Sequence, residues 1–281
     1  MKTPEELDYH TAHLNRYLTT IEYLTDLPRT TRALEVGAPP YGMTVLLANW
    51  LFDRVSVSGY DEKAADQLQK TSQRKMSIVA DNGAVLYEGE ERRFNLEIHQ
   101  WPYPDGELDL VISCETFEHL GLDPMHAYAE ANRVLAPGGR LFVTVPNGMA
   151  LSNGLRYLDG RQANSFPVYR PEGYALRHCR EPTPRELGSL MTAAGFEPEF
   201  IETINIEKVA LGGLAMVVLG LLARPLNLRR ELLVARGIKR GPVADRYPTE
   251  HELYFPWDVD RLRRSRAITP QTLGVAIQDR L

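Results

Sequence analysis

Hydrophobic residues follow two different spacings along the chain. Short and nearly continuous apolar runs, typical of buried strands, alternate with longer stretches whose apolar residues recur every three or four positions, as in helices. The predicted strands cover residues 31–36, 55–60, 94–98, 108–114, 140–145, 200–206 and 231–236. The predicted helices cover residues 4–27, 42–52, 124–135 and 183–195. This alternation predicts an α/β fold with seven strands in a mostly parallel sheet and helices on both faces.

Two polar segments interrupt the alternation. Residues 62–92 are irregular, and we expect helix and loop there. Residues 148–182 form an insertion rich in Asn, Gly, Arg, Tyr and Pro, whose aromatic residues favour an ordered substrate lid over disorder. We therefore divide the chain into an N-terminal helix (1–30), a main domain (31–240) that contains the insertion, and a C-terminal extension (241–281).

Residues 209–223 form an apolar run of 15 residues, shorter than the ~20 residues that span a bilayer. We expect a buried or interface helix there, and an interface would be compatible with a homodimer. A basic stretch follows at residues 224–240, so a weak contact with a membrane surface is the alternative. The sequence predicts no transmembrane span.

Composition narrows the class of protein. The 281 residues are 43% hydrophobic and 25% charged, with a net charge of -5, as in an ordinary globular protein without a general affinity for nucleic acid. The two cysteines do not predict a disulfide framework or a Cys-x-x-Cys zinc site. The charged N-terminus has no apolar signal core, so the expected location is the cytoplasm.

Candidate ligand-binding residues lie where predicted strands end. Glu35 and Gly37 end the first strand, and the turn 38–42 leads into a helix, the pattern by which open α/β sheets hold a nucleotide-like ligand. Asp61 follows the second strand, where it could accept hydrogen bonds from both hydroxyls of a ribose or cap the next helix. Glu97 could meet an adenine amine or be solvated at a strand end.

Two carboxylates and an imidazole follow the fourth predicted strand. If residues 115–120 turn helically, Glu115, Glu118 and His119 share one face. Such a set can hold a divalent cation or position a general base, while the alternative is a polar helix start favoured by the helix dipole. The insertion adds a second titratable ring, His178.

The ordered set of motifs resembles the class I S-adenosylmethionine-dependent methyltransferases. The residues that carry the resemblance are Leu34-Glu35-Val36-Gly37, Asp61, Trp101-Pro102-Tyr103-Pro104-Asp105-Gly106-Glu107-Leu108-Asp109-Leu110-Val111, Glu118-His119-Leu120 and Arg133-Val134-Leu135-Ala136-Pro137-Gly138-Gly139-Arg140-Leu141. Their order over residues 31–147 implies a Rossmann-like fold, S-adenosyl-L-methionine as cofactor and methyl transfer as activity. Residues 177–187 resemble a type 11-like bacterial subgroup associated with O-methylation of small molecules and glycans.

By position, the resemblance implies a set of cofactor contacts. The methionine part of the cofactor would lie along the end of the first predicted strand, the ribose at the end of the second strand and the adenine beside the third strand. Residues at the end of the fourth strand would lie between the cofactor and the acceptor. These residues are Glu35, Gly37, Ala38, Pro39, Tyr41, Asp61, Leu96, Glu97, Cys114 and Glu115. Family members usually have glycine at alternate positions after the acidic residue, so Pro39 and Tyr41 predict a stiffer loop on a different path.

The resemblance also bears on catalysis. The Glu115-x-x-Glu118-His119 spacing looks like the one that some ubiquinone-pathway O-methyltransferases use for a divalent ion, so Mg²⁺ at these three residues is one prediction. Metal-free relatives share the Glu-His-Leu motif. If no metal binds, Glu118, His119 and His178 are the candidate catalytic residues, with a histidine as base.

The predicted reaction is methyl transfer to an oxygen, promoted by alignment of acceptor, carbon and sulfur. A sugar, a glycan or a related small-molecule hydroxyl is the first acceptor class, and a phenol or quinone precursor is the second. Ser113-Cys114-Glu115-Thr116 stands where methyltransferases of nucleic-acid amines have Asn-Pro-Pro-Tyr, so nucleic acid is not the expected partner. Two other classes stay open: an NAD-dependent oxidoreductase and a catalytically inactive methyltransferase-fold interaction module.

Overall fold

A mixed sheet of eight strands forms the centre of the molecule. The computed structural model describes residues 4–59, 71–162, 177–205 and 228–248. The strands are β1 (Arg32–Val36), β2 (Arg54–Gly59), β3 (Ser72–Val79), β4 (Val85–Arg93), β5 (Leu108–Cys114), β6 (Leu135–Pro146), β7 (Phe196–Ile204) and β8 (Leu232–Lys239). Their order across the sheet is β3-β4-β2-β1-β5-β6-β8-β7.

Helices connect the strands. They are α1 (Pro4–Glu22), α2 (Gly42–Leu46), α3 (Pro124–Val134), α4 (Leu151–Leu158) and α5 (Pro184–Ala193). A π-helical turn over Leu47–Leu51 extends α2, and a 3₁₀ turn over Phe117–His119 follows β5. A capping box starts α5 as its sequence predicts, because Thr183 accepts from the Glu186 N–H and the Glu186 carboxylate accepts from the Thr183 N–H.

The parallel strands place the candidate ligand site. β1 pairs in parallel with β2 on one side and with β5 on the other, so the chain order reverses at β1. Ligands of open α/β sheets bind at such a reversal, outside the carboxyl ends of the strands. β8 pairs antiparallel with β6 and β7, which completes a mixed sheet of the Rossmann-like kind.

The prediction of seven strands is wrong, because segment 62–92 contains a β-hairpin in its described part. β3 and β4 pair antiparallel, and β4 pairs in parallel with β2. The strand predicted at 94–98 is also wrong. There the side chain of Asn95 accepts from the Glu97 N–H at 2.8 Å, and the Asn95 carbonyl accepts from the His99 N–H at 3.2 Å, which curls the chain into turns.

Apolar side chains cover both faces of the sheet, as predicted. α1 and α2 pack on one face, where Ile21 and Met43 belong to the same core cluster as Ile112. α3 and α5 pack on the other face, where Leu187 belongs to the same core cluster as Val111. The core therefore holds the strand ends rigidly from two sides.

Several predicted segments fall partly or wholly outside the described residues. The apolar run 209–223 lies there, and so do residues 163–176 of the insertion and the extension from 249 onward. The described start of the extension folds back on the domain, since the N–H groups of Ala244 and Asp245 both donate to the Ala193 carbonyl at 2.9 Å. Among the described helices, none is long and apolar enough to cross a membrane.

Candidate functional site

The end of β1 presents a buried carboxyl group. Glu35 is 3% exposed, and the Thr44 hydroxyl of α2 donates to its Oε2 atom at 2.5 Å. Burial raises the pKa of Glu35 to about 8, against a lowering effect of the Thr44 hydrogen bond. A cationic ligand group at this strand end would stabilise the ionised form of Glu35.

The loops after β1 and β5 meet at a glycine. Gly37 has φ +70°, and a Cβ atom built there would lie 2.4 Å from the Thr116 hydroxyl oxygen. Thr116 Oγ1 in turn donates to the carbonyls of Val36 at 3.3 Å and Cys114 at 3.1 Å. Glycine is therefore required by both the left-handed backbone and the close approach of Thr116.

A polar network that the sequence did not reveal anchors the loop after β1. The Tyr41 hydroxyl donates to the fully buried Glu91 of β4 at 2.5 Å. Arg93 donates to the same carboxylate at 2.8 Å, and Arg74 of β3 also donates to it. Burial would raise the pKa of Glu91, but these three donors outweigh burial and lower it. Gly59 leaves room for this carboxylate, because a Cβ atom there would lie 2.2 Å from Glu91 Oε1.

The remaining loop residues lie close to this network. Ala38 is buried, and its N–H donates to the Ser58 carbonyl of β2 at 2.9 Å. Pro39 is exposed. Tyr41 has φ 68°, so the loop takes an unusual path as its sequence predicts. Asp61, the predicted ribose ligand, lies outside the described residues.

Glu97 is not a solvated strand-end residue, because it is buried in a turn. Its Oε1 atom accepts from the N–H groups of Leu122 at 2.6 Å and Asp123 at 2.8 Å. Glu97 therefore holds the segment before α3 in place, and its contact with adenine stays a prediction. The neighbouring Leu96 packs partly buried against the core.

Cys114 ends β5 and Glu115 follows it, but the direct side-chain partners of Glu115 are residues other than the candidate metal ligands. Its Oε2 atom lies 3.3 Å from Arg16 Nη1 of α1, and its Oε1 accepts from the Thr144 hydroxyl at 3.1 Å. Its φ of 52° turns the chain there. The helical continuation that would align Glu115 with Glu118 and His119 is absent, because helical geometry begins only at residue 117. Within the described residues, the group of ligand atoms close enough to hold one ion does not include Glu115.

His178 takes the place of Glu115 in the cluster. Nε2 of His119 lies 3.8 Å from Oε1 of Glu118, and Nε2 of His178 lies 4.0 Å from the same oxygen. The ligand atoms of these three residues all lie within 4.8 Å of one another. The two rings meet edge to face with centroids 4.7 Å apart. Segment 177–181 of the insertion thus contributes directly to the cluster formed after β5.

The Nδ1 atoms of both histidine rings act as hydrogen-bond donors. Nδ1 of His119 donates to the Arg177 carbonyl at 2.9 Å, and Nδ1 of His178 donates to Glu181 Oε1 at 2.7 Å. A carbonyl and a carboxylate only accept, so each neutral ring presents an unprotonated Nε2 toward Glu118. Within the described residues, neither oxygen of the buried Glu118 carboxylate accepts a hydrogen bond.

Backbone contacts fix this cluster. The Glu118 carbonyl accepts from the N–H groups of Cys179 at 2.7 Å and Arg180 at 3.1 Å. Burial and the nearby Glu115 charge raise the pKa of Glu118 well above its ordinary value. The charge of Arg16 acts on Glu118 in the opposite direction but is outweighed. Burial also lowers the pKa of His119, against the effect of its bond to the Arg177 carbonyl.

Comparison with known proteins places this arrangement in a family. The family model described as a methyltransferase domain matches residues 9–199, more than half of the chain. A chain of Mycolicibacterium smegmatis, named "probable S-adenosylmethionine-dependent methyltransferase", is 35% identical over 98 residues, which cover 35% of this chain and 32% of that one. A demethylmenaquinone methyltransferase of Thermus thermophilus is 32% identical over 125 residues, covering 40% and 54%. The chain thus spans about a third to a half of the length of these curated relatives.

Solved structures share the fold. An S-adenosylmethionine-dependent methyltransferase of Thermotoga maritima superposes with a TM-score of 0.50 at 18% identity, covering 84% of this chain and 94% of that one. A chain from the complex between the Haloferax volcanii Trm112 methyltransferase activator and a methyltransferase gives 0.51 at 14% identity, covering 83% and 95%. The chain therefore belongs to the methyltransferase-domain family and has its Rossmann-like fold.

Proposed function

We propose that this protein transfers a methyl group from S-adenosyl-L-methionine to a hydroxyl oxygen of a small-molecule acceptor, with a sugar or glycan as the acceptor class. The family match supports the methyl transfer. The observation that supports an oxygen acceptor is the buried Glu118 carboxylate, which faces two unprotonated imidazole nitrogens. Such a set of acceptor atoms fits a ligand that brings its own hydrogen-bond donors.

The chemistry of the strand ends fits the cofactor. S-adenosyl-L-methionine carries an ammonium and a sulfonium group, and when bound it supplies an electrophilic methyl group. Glu35 offers a buried carboxylate for a cation, and Gly37 keeps the neighbouring backbone free of a side chain. Asp61 would take the ribose hydroxyls, as the sequence predicts. The adenine would lie beside Leu96 and Glu97.

The acceptor side is formed by Glu118, His119 and His178. A vicinal diol would donate to the Glu118 carboxylate and to an Nε2 atom, which orients one hydroxyl oxygen for attack. His178 would receive the hydroxyl proton at Nε2, because Glu181 holds its other nitrogen protonated. The resulting imidazolium lies beside two carboxylates, Glu118 and Glu181, which stabilise its charge.

A phenol or quinone precursor is the second acceptor class. It is favoured by the relative from Thermus thermophilus, whose name is demethylmenaquinone methyltransferase. A largely apolar quinone would leave most acceptor atoms of the cluster without donors, whereas a sugar would satisfy several of them. The sugar class is therefore the first choice.

A labelled-methyl screen tests the proposal. Full-length protein is incubated with S-adenosyl-L-methionine labelled in the methyl group and with panels of sugars, phenols and quinone precursors. Transfer to a hydroxylated acceptor is expected, together with calorimetric binding of S-adenosylhomocysteine. Binding of NAD(H) without a response to S-adenosylhomocysteine would instead favour the oxidoreductase. Cofactor binding without transfer to any panel member would favour the interaction module.

A further inference from the structure

We propose that Glu118, His119 and His178 form a binding site for a divalent transition-metal ion of the Zn²⁺ class. Their ligand atoms lie within 4.8 Å of one another, and the two Glu118–histidine separations are 3.8 and 4.0 Å. These separations exceed a hydrogen bond. They are slightly wider than the roughly 3.4 Å between neighbouring ligands of a tetrahedral ion with bonds of about 2.1 Å. A small inward movement of the side chains would complete the coordination.

The surroundings of the three residues favour a cation independently. Neutral imidazole binds a metal through an unprotonated nitrogen while its other nitrogen donates to a carboxylate or carbonyl. Both rings meet this requirement, since Nδ1 of His178 is held by Glu181 and Nδ1 of His119 by the Arg177 carbonyl. The Glu118 carboxylate is 1% exposed and accepts no hydrogen bond within the described residues. A cation at the centre would satisfy this buried carboxylate.

The ligand types determine the metal class. Two imidazoles and one carboxylate suit Zn²⁺, Co²⁺, Ni²⁺ and related ions, whereas Mg²⁺ prefers oxygen ligands and keeps its waters. The site therefore differs from the predicted Mg²⁺ set in both its metal and its third ligand, since Glu115 is paired with Arg16. Three ligands from the described residues leave open positions for water or an acceptor oxygen.

The role of the ion rests on the proposed function, although its binding does not. A bound ion would coordinate the acceptor hydroxyl and lower the pKa of that hydroxyl, in place of proton acceptance by His178. The hydroxyl would lie beside the strand ends, because the turn that holds Glu118 and His119 directly follows Thr116 at Gly37.

Metal titration of the purified full-length protein tests the site without any methyl acceptor. After chelation and dialysis, Zn²⁺ is titrated by calorimetry and Co²⁺ by visible absorption. We expect one ion per chain, at least about tenfold weaker binding in Glu118→Gln and His178→Ala, and weakening of about tenfold or more in the supporting variant Glu181→Gln. X-ray absorption of the Zn²⁺-loaded wild type should show two imidazoles, which keeps the test independent of variant folding.

Glu115→Gln is the matched control. It removes a neighbouring carboxylate of the same length, and Zn²⁺ affinity should fall much less than in Glu118→Gln, because Glu115 acts on the site only through its charge. Equal losses in Glu115→Gln and Glu118→Gln would overturn the ligand set, and no saturable binding by wild type would overturn the site. Zn²⁺ binding without methyl transfer to any acceptor would contradict the proposed function alone. Methyl transfer by metal-free protein without Zn²⁺ binding would contradict this inference alone.

Discussion

Nε2 of His178 lies 4.0 Å from Oε1 of Glu118, although the two residues are far apart in the sequence. Glu118 follows β5, whereas His178 belongs to the described end of the insertion, just before α5. Backbone bonds from Cys179 and Arg180 to the Glu118 carbonyl hold the two segments together. The insertion therefore supplies part of the site and does not merely connect β6 to α5.

Replacement of His178 by Asn should reduce kcat by about 10²–10⁴-fold, because it removes the positioned proton acceptor or, with an ion bound, one ligand of that ion. Cofactor affinity should change little, because His178 belongs to the proposed acceptor site. The assay is steady-state methyl transfer, with S-adenosylhomocysteine binding measured in parallel. His126→Asn is the control, since that ring bonds the His99 carbonyl beside α3, and its kcat should stay within about threefold of wild type. Equal losses in both variants would contradict the assignment.

Cofactor affinity should depend on pH through Glu35. Because the pKa of Glu35 is about 8 in the folded protein, its carboxylate must lose a proton before it can pair with the cofactor ammonium. Affinity should therefore rise about tenfold per pH unit below pH 8 and level off above it. Calorimetry with S-adenosylhomocysteine between pH 6 and 9 measures this slope. Glu35→Gln should flatten it, whereas Asp61→Asn should weaken binding but keep the slope.

The raised pKa of Glu35 should also make the free energy of unfolding depend on pH. The folded pKa of Glu35, about 8, exceeds the unfolded value of about 4.3. Between these two pKa values the folded state binds one more proton than the unfolded state does. The free energy of unfolding therefore falls as the pH rises toward 8 and levels off above it. Glu115 and Glu118 add slopes of the same sign. Urea denaturation at pH 6 and 8.5 should show a smaller loss in Glu35→Gln than in wild type, and an unchanged loss would refute the raised pKa.

Alanine at Gly37 should impair cofactor binding beyond the effect of backbone strain. Gly37 and Gly138 have φ values of +70° and +78°, but only Gly37 has a neighbour, Thr116 Oγ1, at 2.4 Å from the added Cβ. Gly138→Ala should cost about 1–2 kcal/mol of stability and leave affinity unchanged. Gly37→Ala should lose at least tenfold in affinity for S-adenosylhomocysteine by calorimetry. Matching affinities in the two variants would show that the Thr116 contact has no role.

Much of the fold follows from local sequence, whereas its polar networks do not. The capping box at Thr183 and the apolar run of β5 are local signals, and both were predicted correctly. The β3–β4 hairpin was missed because β4 is held partly by charged groups around Glu91, so its sequence lacks the alternation of a half-buried strand. His178 was recognised as a candidate base, but its distance to Glu118 depends on tertiary structure.

The Tyr41–Glu91 bond should stabilise the loop after β1. Tyr41→Phe removes one hydrogen bond to a buried carboxylate and should cost about 1–2 kcal/mol in urea denaturation. Glu91→Ala should cost more, about 2–3 kcal/mol after allowance for the partial exposure of Arg74 and Arg93. Tyr157→Phe, at an exposed position on α4, is the control and should stay within about 0.5 kcal/mol. The stabilising role of the Tyr41–Glu91 bond would be refuted if Tyr41→Phe lost no more free energy of unfolding than Tyr157→Phe.

The atom that receives the methyl group distinguishes O-methyl transfer from transfer to nitrogen or carbon. Wild-type protein is incubated with S-adenosyl-L-methionine carrying a ¹³C-labelled methyl group and with the best acceptor from the screen, and the product is analysed by carbon NMR and mass spectrometry. We expect one new O-methyl signal on a hydroxylated acceptor and an equal amount of S-adenosylhomocysteine, both reduced at least tenfold in Glu118→Gln. A methyl group on nitrogen or carbon, or an undiminished O-methyl signal in Glu118→Gln, would contradict this expectation.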